Sequence, residues 1–201
     1  MDSAGWTTPP DPSYLPATVR RSAKILVVGP AGVGKTTFVR TMSEIEPLTT
    51  EESVTAAGAG VDDLRATPAK TTTTVALDFG RRTLTEQLVL YLFGTPGQPR
   101  FGYLWETLAR GAIGALVLAD TRRLQDSFDV IDRVERLGLR YAIAINDFDG
   151  APKPPPAELR EALDPAPATP LGICDARDPG SCRATLITLV EHVVETAAVG
   201  A

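Results

Sequence analysis

Ile25-Leu-Val-Val-Gly29-Pro-Ala-Gly32-Val-Gly34-Lys35-Thr36-Thr37 decides how this chain is read. Four apolar, mostly β-favouring residues lead into a glycine-rich turn, and Lys35-Thr36 opens a segment that reads as helix through Met42. The pattern is G-x-x-x-x-G-K-T between a strand and a helix, the context that marks a phosphate-binding P-loop. Gly29, Gly32 and Gly34 lack a β-carbon and so admit positive φ. Backbone N–H groups can then turn inward as a nest for an anion. Ala31, Val33 and Thr37 add their backbone to the cradle, and the helix starting near Lys35 adds the positive end of its dipole. Lys35 reaches the β/γ-phosphates, and the Thr36 hydroxyl can ligate Mg²⁺. In a chain this long a chance match is roughly a one-in-a-hundred event. Alone, the motif specifies an NTPase or a nucleotide kinase.

The bulk properties narrow the setting. At 201 residues, with 43% hydrophobic and 22% charged residues, the chain suits one α/β domain that needs no staples. A net charge of −5 and a pI near 5.0 argue against nucleic acid or an anionic membrane as the main partner. Cys174 and Cys182 lack the companion pairs of a zinc site; a disulfide between them stays open, with a reduced, cytoplasmic setting as the default expectation. No stretch reaches transmembrane length, which argues against direct membrane insertion. Met1 to Gly5 carry neither a basic signal region nor a myristoylation signature. Pro9, Pro10, Pro12 and Pro16 mark residues 1–22 as a loosely packed or disordered arm, leaving 23–201 as the folded domain.

Beyond the P-loop helix, Ser43–Lys70 reads as a long polar loop, and Val75–Phe79 as a strand entered through Thr71-Thr72-Thr73-Thr74. Gly80-Arg81-Arg82 reads as a hairpin turn and Leu84–Phe93 as the returning, buried strand. Gly94-Thr95-Pro96-Gly97-Gln98 then falls at a strand's carboxyl end, where open α/β sheets bind ligands. Strands over 112–120, 141–145 and 171–174 alternate with helices over 103–110, 124–137, 157–163 and 181–198. Phe128, Ile131, Val134 and Leu137 define one buried helix face; Leu186, Leu189, Val190, Val193, Val194 and Ala197 define another. The expected fold is α/β: a P-loop NTPase with a mostly parallel six-stranded sheet, one antiparallel edge hairpin, and helices on both faces.

The P-loop, the threonine run, Gly94–Gln98 and Asn146-Asp147-Phe148-Asp149 together resemble the Ras-like small GTPases over residues 24–198. Within that superfamily, three stretches resemble the bacterial MglA-like members, in particular the ATP/GTP-binding proteins of actinomycete conservon operons. They are Thr-Thr-Thr-Val-Ala-Leu-Asp-Phe-Gly (72–80), Leu-Phe-Gly-Thr-Pro-Gly-Gln-Pro-Arg-Phe (92–101) and Ile-Thr-Leu-Val-Glu-His (187–192). The resemblance implies a small G-protein domain that binds GTP and GDP with Mg²⁺ and hydrolyses GTP slowly. It implies catalytic roles for Lys35, Thr74 and Gln98, and metal ligation by Thr36 and Thr74, with Thr73 as the alternative register. Gly97 would offer its N–H to the γ-phosphate, and Gln98 would orient the attacking water. Asp149 would accept guanine's N1–H and exocyclic amine, Asn146 would brace the base loops, and the Ala176 N–H would meet the guanine oxygen. The implied partners are a roadblock/LC7-type regulator and a sensor-kinase-like membrane protein, which could recruit the chain to the membrane.

Several positions depart from the family pattern. Gly94 stands where Asp-x-x-Gly places its metal-orienting aspartate, so Asp78 or Asp120 would have to compensate, although Asp120 also reads as a helix N-cap. Asp147 replaces the lysine of Asn-Lys-x-Asp, leaving Phe148 to stack on the base, and Asp175 and Arg177 flank Ala176 in place of serine and lysine. Arg65, Arg81 and Arg100 are cis candidates for a catalytic arginine, and a partner is the trans source. His192, the single histidine, reads as a surface residue. Two other readings stay open: an ATPase or nucleotide kinase using Asp120 as the Walker B acid, and a nucleotide-bound scaffold that does not hydrolyse.

Overall fold

Consecutive apolar residues in Ile25–Val28, 114–119 and 141–145 bury both faces of a strand, which requires a sheet covered on both sides. The computed structural model describes residues 18–55, 72–97 and 103–199 and contains that sheet. Its elements are β1 (Arg21–Val28), α1 (Lys35–Met42), β2 (Leu48–Thr55), β3 (Thr72–Thr85), β4 (Leu88–Gly94), α2 (Tyr103–Ala109) and β5 (Gly114–Ala119). A 3-10 helix (Thr121–Ser127) follows, then α3 (Phe128–Arg136), β6 (Tyr141–Asn146), α4 (Pro156–Leu163), β7 (Leu171–Cys174) and α5 (Pro179–Val199). The strand order is β2-β3-β4-β1-β5-β6-β7. β1, β4, β5, β6 and β7 run parallel, and β3 runs antiparallel to β4. The six strands expected from sequence are β1 and β3 to β7; β2 adds a seventh, antiparallel to β3, at the edge.

Alternation along β1 builds two cores. Ile25 and Val27 pack with Phe38 and Val39 of α1 and Leu186 and Leu189 of α5. Leu26 and Val28 pack with Trp105, Ile131, Val134 and Leu159 from α2, α3 and α4. All four β1 residues are fully buried, and burying each such side chain contributes about 1.5–3 kcal/mol. The strand is thereby fixed between two layers, and the Gly29–Gly34 loop is presented from its carboxyl end.

The structure corrects several sequence boundaries. Gly80-Arg81-Arg82 is not a turn: β3 continues through it, with Gly80 opposite Leu92 and Arg82 opposite Leu90, and the turn falls at Glu86-Gln87. Gly80 is needed for close packing, because a β-carbon there would lie 2.9 Å from Val39 Cγ1 and 3.1 Å from Ser43 Cβ. The segment 43–70, expected as loop, contains β2, whose Leu48–Thr55 pairs with Thr72–Phe79. An edge strand need not alternate polar and apolar residues clearly, so its pattern did not announce it. β1 begins at Arg21, so the sheet takes in the last two positions of the expected arm; residues 1–17 lie outside the described residues.

Three positions expected on buried helix faces, Phe128, Val194 and Ala197, are exposed. Phe128 is 45% exposed because a 3-10 segment precedes it and shifts the helical phase. Val194 is 62% exposed, while Val193, one step round the helix, takes the buried place. Among the described residues, no helix is long and apolar enough to cross a membrane.

Candidate functional site

Gly29, Gly32 and Gly34 have φ of 149°, 75° and 103°, the region glycine enters most readily. At Gly29 the space is closed as well, since a β-carbon would lie 2.5 Å from the Leu118 carbonyl oxygen. Gly34 caps α1, and a β-carbon there would lie 2.5 Å from Asn146 Nδ2. Lys35 opens α1 and is buried, its Nζ donating to the Gly29 and Pro30 carbonyls at 2.8 and 2.7 Å. Burial holds its pKa down to about 8, against the charge of Asp78, which raises it. A buried ammonium turned onto the loop's own carbonyls is a cation that anionic phosphates can recruit. Ala31 and Thr37 are exposed, whereas Val33 is buried.

Of the residues expected at the γ-phosphate and metal, Thr74, Gly97 and Gln98, only part falls within the described residues. Gly97 lies directly against the loop: a β-carbon there would be 2.7 Å from both the Ala31 nitrogen and Lys35 Nζ. Thr74 does not precede its strand; β3 starts at Thr72, and Thr74 pairs with Ser53 of β2. Gln98 lies outside the described residues, as do Arg65 and Arg100. Gly94 sits opposite Asp78 across the β3–β4 ladder, and its missing side chain leaves room that Asp78 fills. The Thr36 hydroxyl donates to Asp78 Oδ2 at 2.5 Å, and Asp78 is buried. A carboxylate and a hydroxyl beside the phosphate loop are hard oxygen donors of the kind Mg²⁺ takes, so the residues present fit that ion. Among the described residues no three His, Cys, Asp or Glu side chains converge, so Mg²⁺ would also need phosphate oxygens.

Asp120 does not play the same part. Its carboxylate accepts from the Arg122 backbone N–H at 2.9 Å and from the Arg122 guanidinium at 2.7 to 3.1 Å. Those bonds, with Arg122's charge, hold its pKa below the usual carboxylate range. It is the N-cap that its position suggested, which leaves the Walker B assignment without support from geometry.

At the opposite end of the loop, Asn146 is buried and makes two hydrogen bonds. Its Nδ2 donates to the Val33 carbonyl at 2.9 Å, and its Oδ1 accepts from the Ala176 N–H at 3.0 Å. Thr41 of α1 adds a third tie, its hydroxyl donating to the Ala176 carbonyl at 2.7 Å. The loops after β6 and β7 are therefore built onto the P-loop itself. Asp149 is exposed and paired with Arg177, which holds its pKa below the usual range. Asp147 pairs with Lys153 at 2.9 Å, and the Phe148 ring is covered on one side by Arg122, 3.9 Å from its centroid.

A family model described as "Conserved hypothetical ATP binding protein" matches residues 27–196. The chain belongs to this family. Its P-loop NTPase character follows from the same residues that form the site. An uncharacterized protein of Methanocaldococcus jannaschii, MJ1339, is 29% identical over 128 residues, covering 63% of this chain and 70% of that protein. The solved cytosolic domain of the T. maritima FeoB iron transporter, in a GDP form, is 16% identical with a TM-score of 0.60. The match covers 86% of this chain and 63% of that one, so the chain spans under two thirds of the solved domain. That likeness shows the α/β P-loop NTPase fold.

As a P-loop NTPase the chain also uses residues that spacing did not single out. Arg81 is not placed as a catalytic arginine: it is buried and ion-paired with Glu44 at 2.9 Å. Arg123 instead reaches the loop, Nη2 donating to the Ala31 carbonyl at 3.0 Å. It lines a cavity of about 290 Å³ with Pro30, Gly97 and Trp105 beside the Lys35 cradle. Nothing in its sequence neighbourhood signals this, because the contact spans 92 positions. Both cysteines are buried free thiols; the Cys182 thiol faces the Asp175 and Ala176 carbonyls at 3.5 Å and so supports the loop after β7.

Proposed function

We propose that the protein is a guanine-nucleotide-binding switch that hydrolyses GTP to GDP with Mg²⁺. The observation that carries this is the Asn146 clamp on Val33 and Ala176, which ties two base-side loops to the phosphate loop. An ATPase or nucleotide kinase would leave the Asn146 and Asp149 pair without a part in reading the base. Asp149 offers two acceptor oxygens at the base end. Guanine presents a matching pair of donors, N1–H and the exocyclic amine, whereas adenine does not.

In this reading the Gly29–Thr37 loop cradles the phosphates and Lys35 turns from the loop carbonyls to the β/γ-phosphates. Gly97, already against Lys35, meets the γ-phosphate with its N–H, and its position reports whether that phosphate is present. Gln98 orients the attacking water. Mg²⁺ would be held by Thr36 and Thr74, with Asp78 supplying the carboxylate that Gly94 lacks, and would neutralise charge on the β- and γ-oxygens. The chemistry is mostly positioning and electrostatics, so a slow intrinsic rate and a partner's help are expected. By its motif resemblance we assign the chain to the MglA-like, conservon-type members, acting with a roadblock/LC7-type regulator and a sensor-kinase-like membrane protein that recruits it to the membrane.

The description of the matching family favours one second reading, an ATP-binding protein. Titration with fluorescent GDP, GTP, ADP and ATP, with and without Mg²⁺ and followed by phosphate release, separates the two. Guanine nucleotides should bind at least tenfold tighter than adenine ones, and Asp149→Asn should relax the preference toward xanthine nucleotides. Tighter ATP than GTP binding refutes the guanine assignment. Tight GTP binding without phosphate release, even with a roadblock partner, makes the protein a scaffold.

A further inference from the structure

The carboxylate that would read guanine is already occupied. Arg177 donates from Nη1 to Asp149 Oδ2 at 2.9 Å and from Nη2 to Asp149 Oδ1 at 3.2 Å. The same guanidinium holds a second carboxylate, with Nε to Asp175 Oδ1 at 2.9 Å and Nη2 to Asp175 Oδ2 at 3.0 Å. The Arg177 backbone N–H also donates to Asp175 Oδ1, at 2.9 Å. One arginine thus joins the loop after β6 to the loop after β7.

The geometry of this fork matters. A guanidinium offers planar, parallel N–H donors that match a carboxylate two to two. Guanine's N1–H and exocyclic amine form the same kind of pair and would use the same two oxygens. Asp149 cannot accept both forks in its plane at once. Its side chain is 88% exposed and that of Arg177 is 55% exposed, so the arginine can leave without disturbing the core. Asp175 gives it a place to stay, because those contacts do not involve Asp149.

We propose that Arg177 is a specificity-determining latch that covers the guanine-reading oxygens of Asp149 and must swing onto Asp175 alone before the base is read. The inference rests on the guanine-nucleotide reading above. While the latch is closed, Asp149 is neutralised and the base end is indifferent to which base enters. Guanine opens it by replacing both N–H bonds. Adenine presents a ring acceptor on that edge and cannot displace the fork. Guanine preference is then the outcome of a competition between two ion-paired states, and salt tunes it.

The test is mant-GDP and mant-ADP binding to wild type, Arg177→Ala, Asp149→Asn and the double variant, in 20 mM and 1 M NaCl. An exposed pair of this kind is worth a modest factor, so Arg177→Ala should tighten GDP about three- to fivefold at low salt and leave ADP unchanged. The gain should vanish in the Asp149→Asn background. It should shrink toward onefold at 1 M salt, where the ion pair is screened. Arg177→Lys, which keeps the charge but loses the fork, should fall between wild type and alanine. A merely structural arginine would not produce an effect that is guanine-specific and lost with salt. If Arg177→Ala weakens GDP binding or leaves it unchanged while Asp149→Asn still removes guanine preference, the latch is overturned and the guanine reading stands. If wild type and Arg177→Ala both bind GDP and ADP alike, both are overturned.

Discussion

Replacing Asn146 with alanine removes both ends of the clamp in one step, and the structure sets the size of the effect. The residue is 5% exposed and its two bonds, 2.9 Å to the Val33 carbonyl and 3.0 Å from the Ala176 N–H, are buried. Each stranded partner costs about 1–3 kcal/mol. The vacated space lies over Gly34, next to a site that ligand must enter, so water can re-satisfy part of the loss. For two partners the lower half of the range, about 2–4 kcal/mol, is therefore the expectation, a drop in Tm of roughly 5–15 °C for a domain this size. The Thr41 bond to the Ala176 carbonyl survives, so the loop stays near and GDP affinity should fall about ten- to a hundredfold without vanishing. Asn146→Asp adds a sharper test. The introduced carboxylate can still accept from Ala176 but must face the Val33 carbonyl as an acceptor. That raises its pKa above the unfolded value, so its stabilising form is present at low pH and is lost as pH rises. Relative to wild type, Asn146→Asp should be more stable at pH 4 than at pH 7. The measurements are urea unfolding followed by the fluorescence of the buried Trp105 and mant-GDP titration. An Asn146→Ala protein within 0.5 kcal/mol of wild type, with GDP affinity unchanged, would refute the clamp.

The remaining predictions concern charge at the phosphate end. Lys35, held to about 8 by burial, binds its proton less tightly folded than unfolded, where the value is about 10.4. Between those values the unfolded chain carries more protons, so the stability of nucleotide-free wild type relative to Lys35→Met should rise with pH, by up to about 3 kcal/mol. Urea midpoints at pH 7 and pH 10 give the difference directly, and a difference that is flat or falls contradicts the placement of Lys35. Asp78→Asn should erase at least tenfold of the Mg²⁺-dependent part of GDP affinity while leaving binding in EDTA within about twofold. An unchanged Mg²⁺ enhancement would remove Asp78 from the metal's surroundings.

The features legible in the sequence are those written in neighbouring residues. The run Ile25–Val28 announces a strand buried on both faces, and the glycine spacing through Gly34 announces a loop that needs positive φ before a helix begins at Lys35. The alternation of apolar strands and helices likewise prescribes a parallel sheet, because each crossover must cover one face. Local rules misjudge Gly80, where the same residue type serves close packing against Val39 and Ser43, and they pass over β2, a polar edge strand.

What the chain could not announce locally are the contacts that make these parts one site. Asn146 reaches Val33 across 113 positions, Arg123 reaches Ala31 across 92, Thr36 meets Asp78 across 42, and Arg177 covers Asp149 across 28. Each depends on strand order. β3 next to β4 sets Asp78 opposite Gly94, and β6 next to β7 sets Asp149 within reach of Arg177. The Ile25–Thr37 stretch by itself determined that phosphate can be held here, because backbone conformation and helix dipole are local properties. Only the tertiary structure decided which carboxylate faces Thr36, which asparagine ties the loops after β6 and β7 to the P-loop, and which arginine covers Asp149, because hydrogen bonds fall off within about an ångström and only the packed sheet brings those atoms that close.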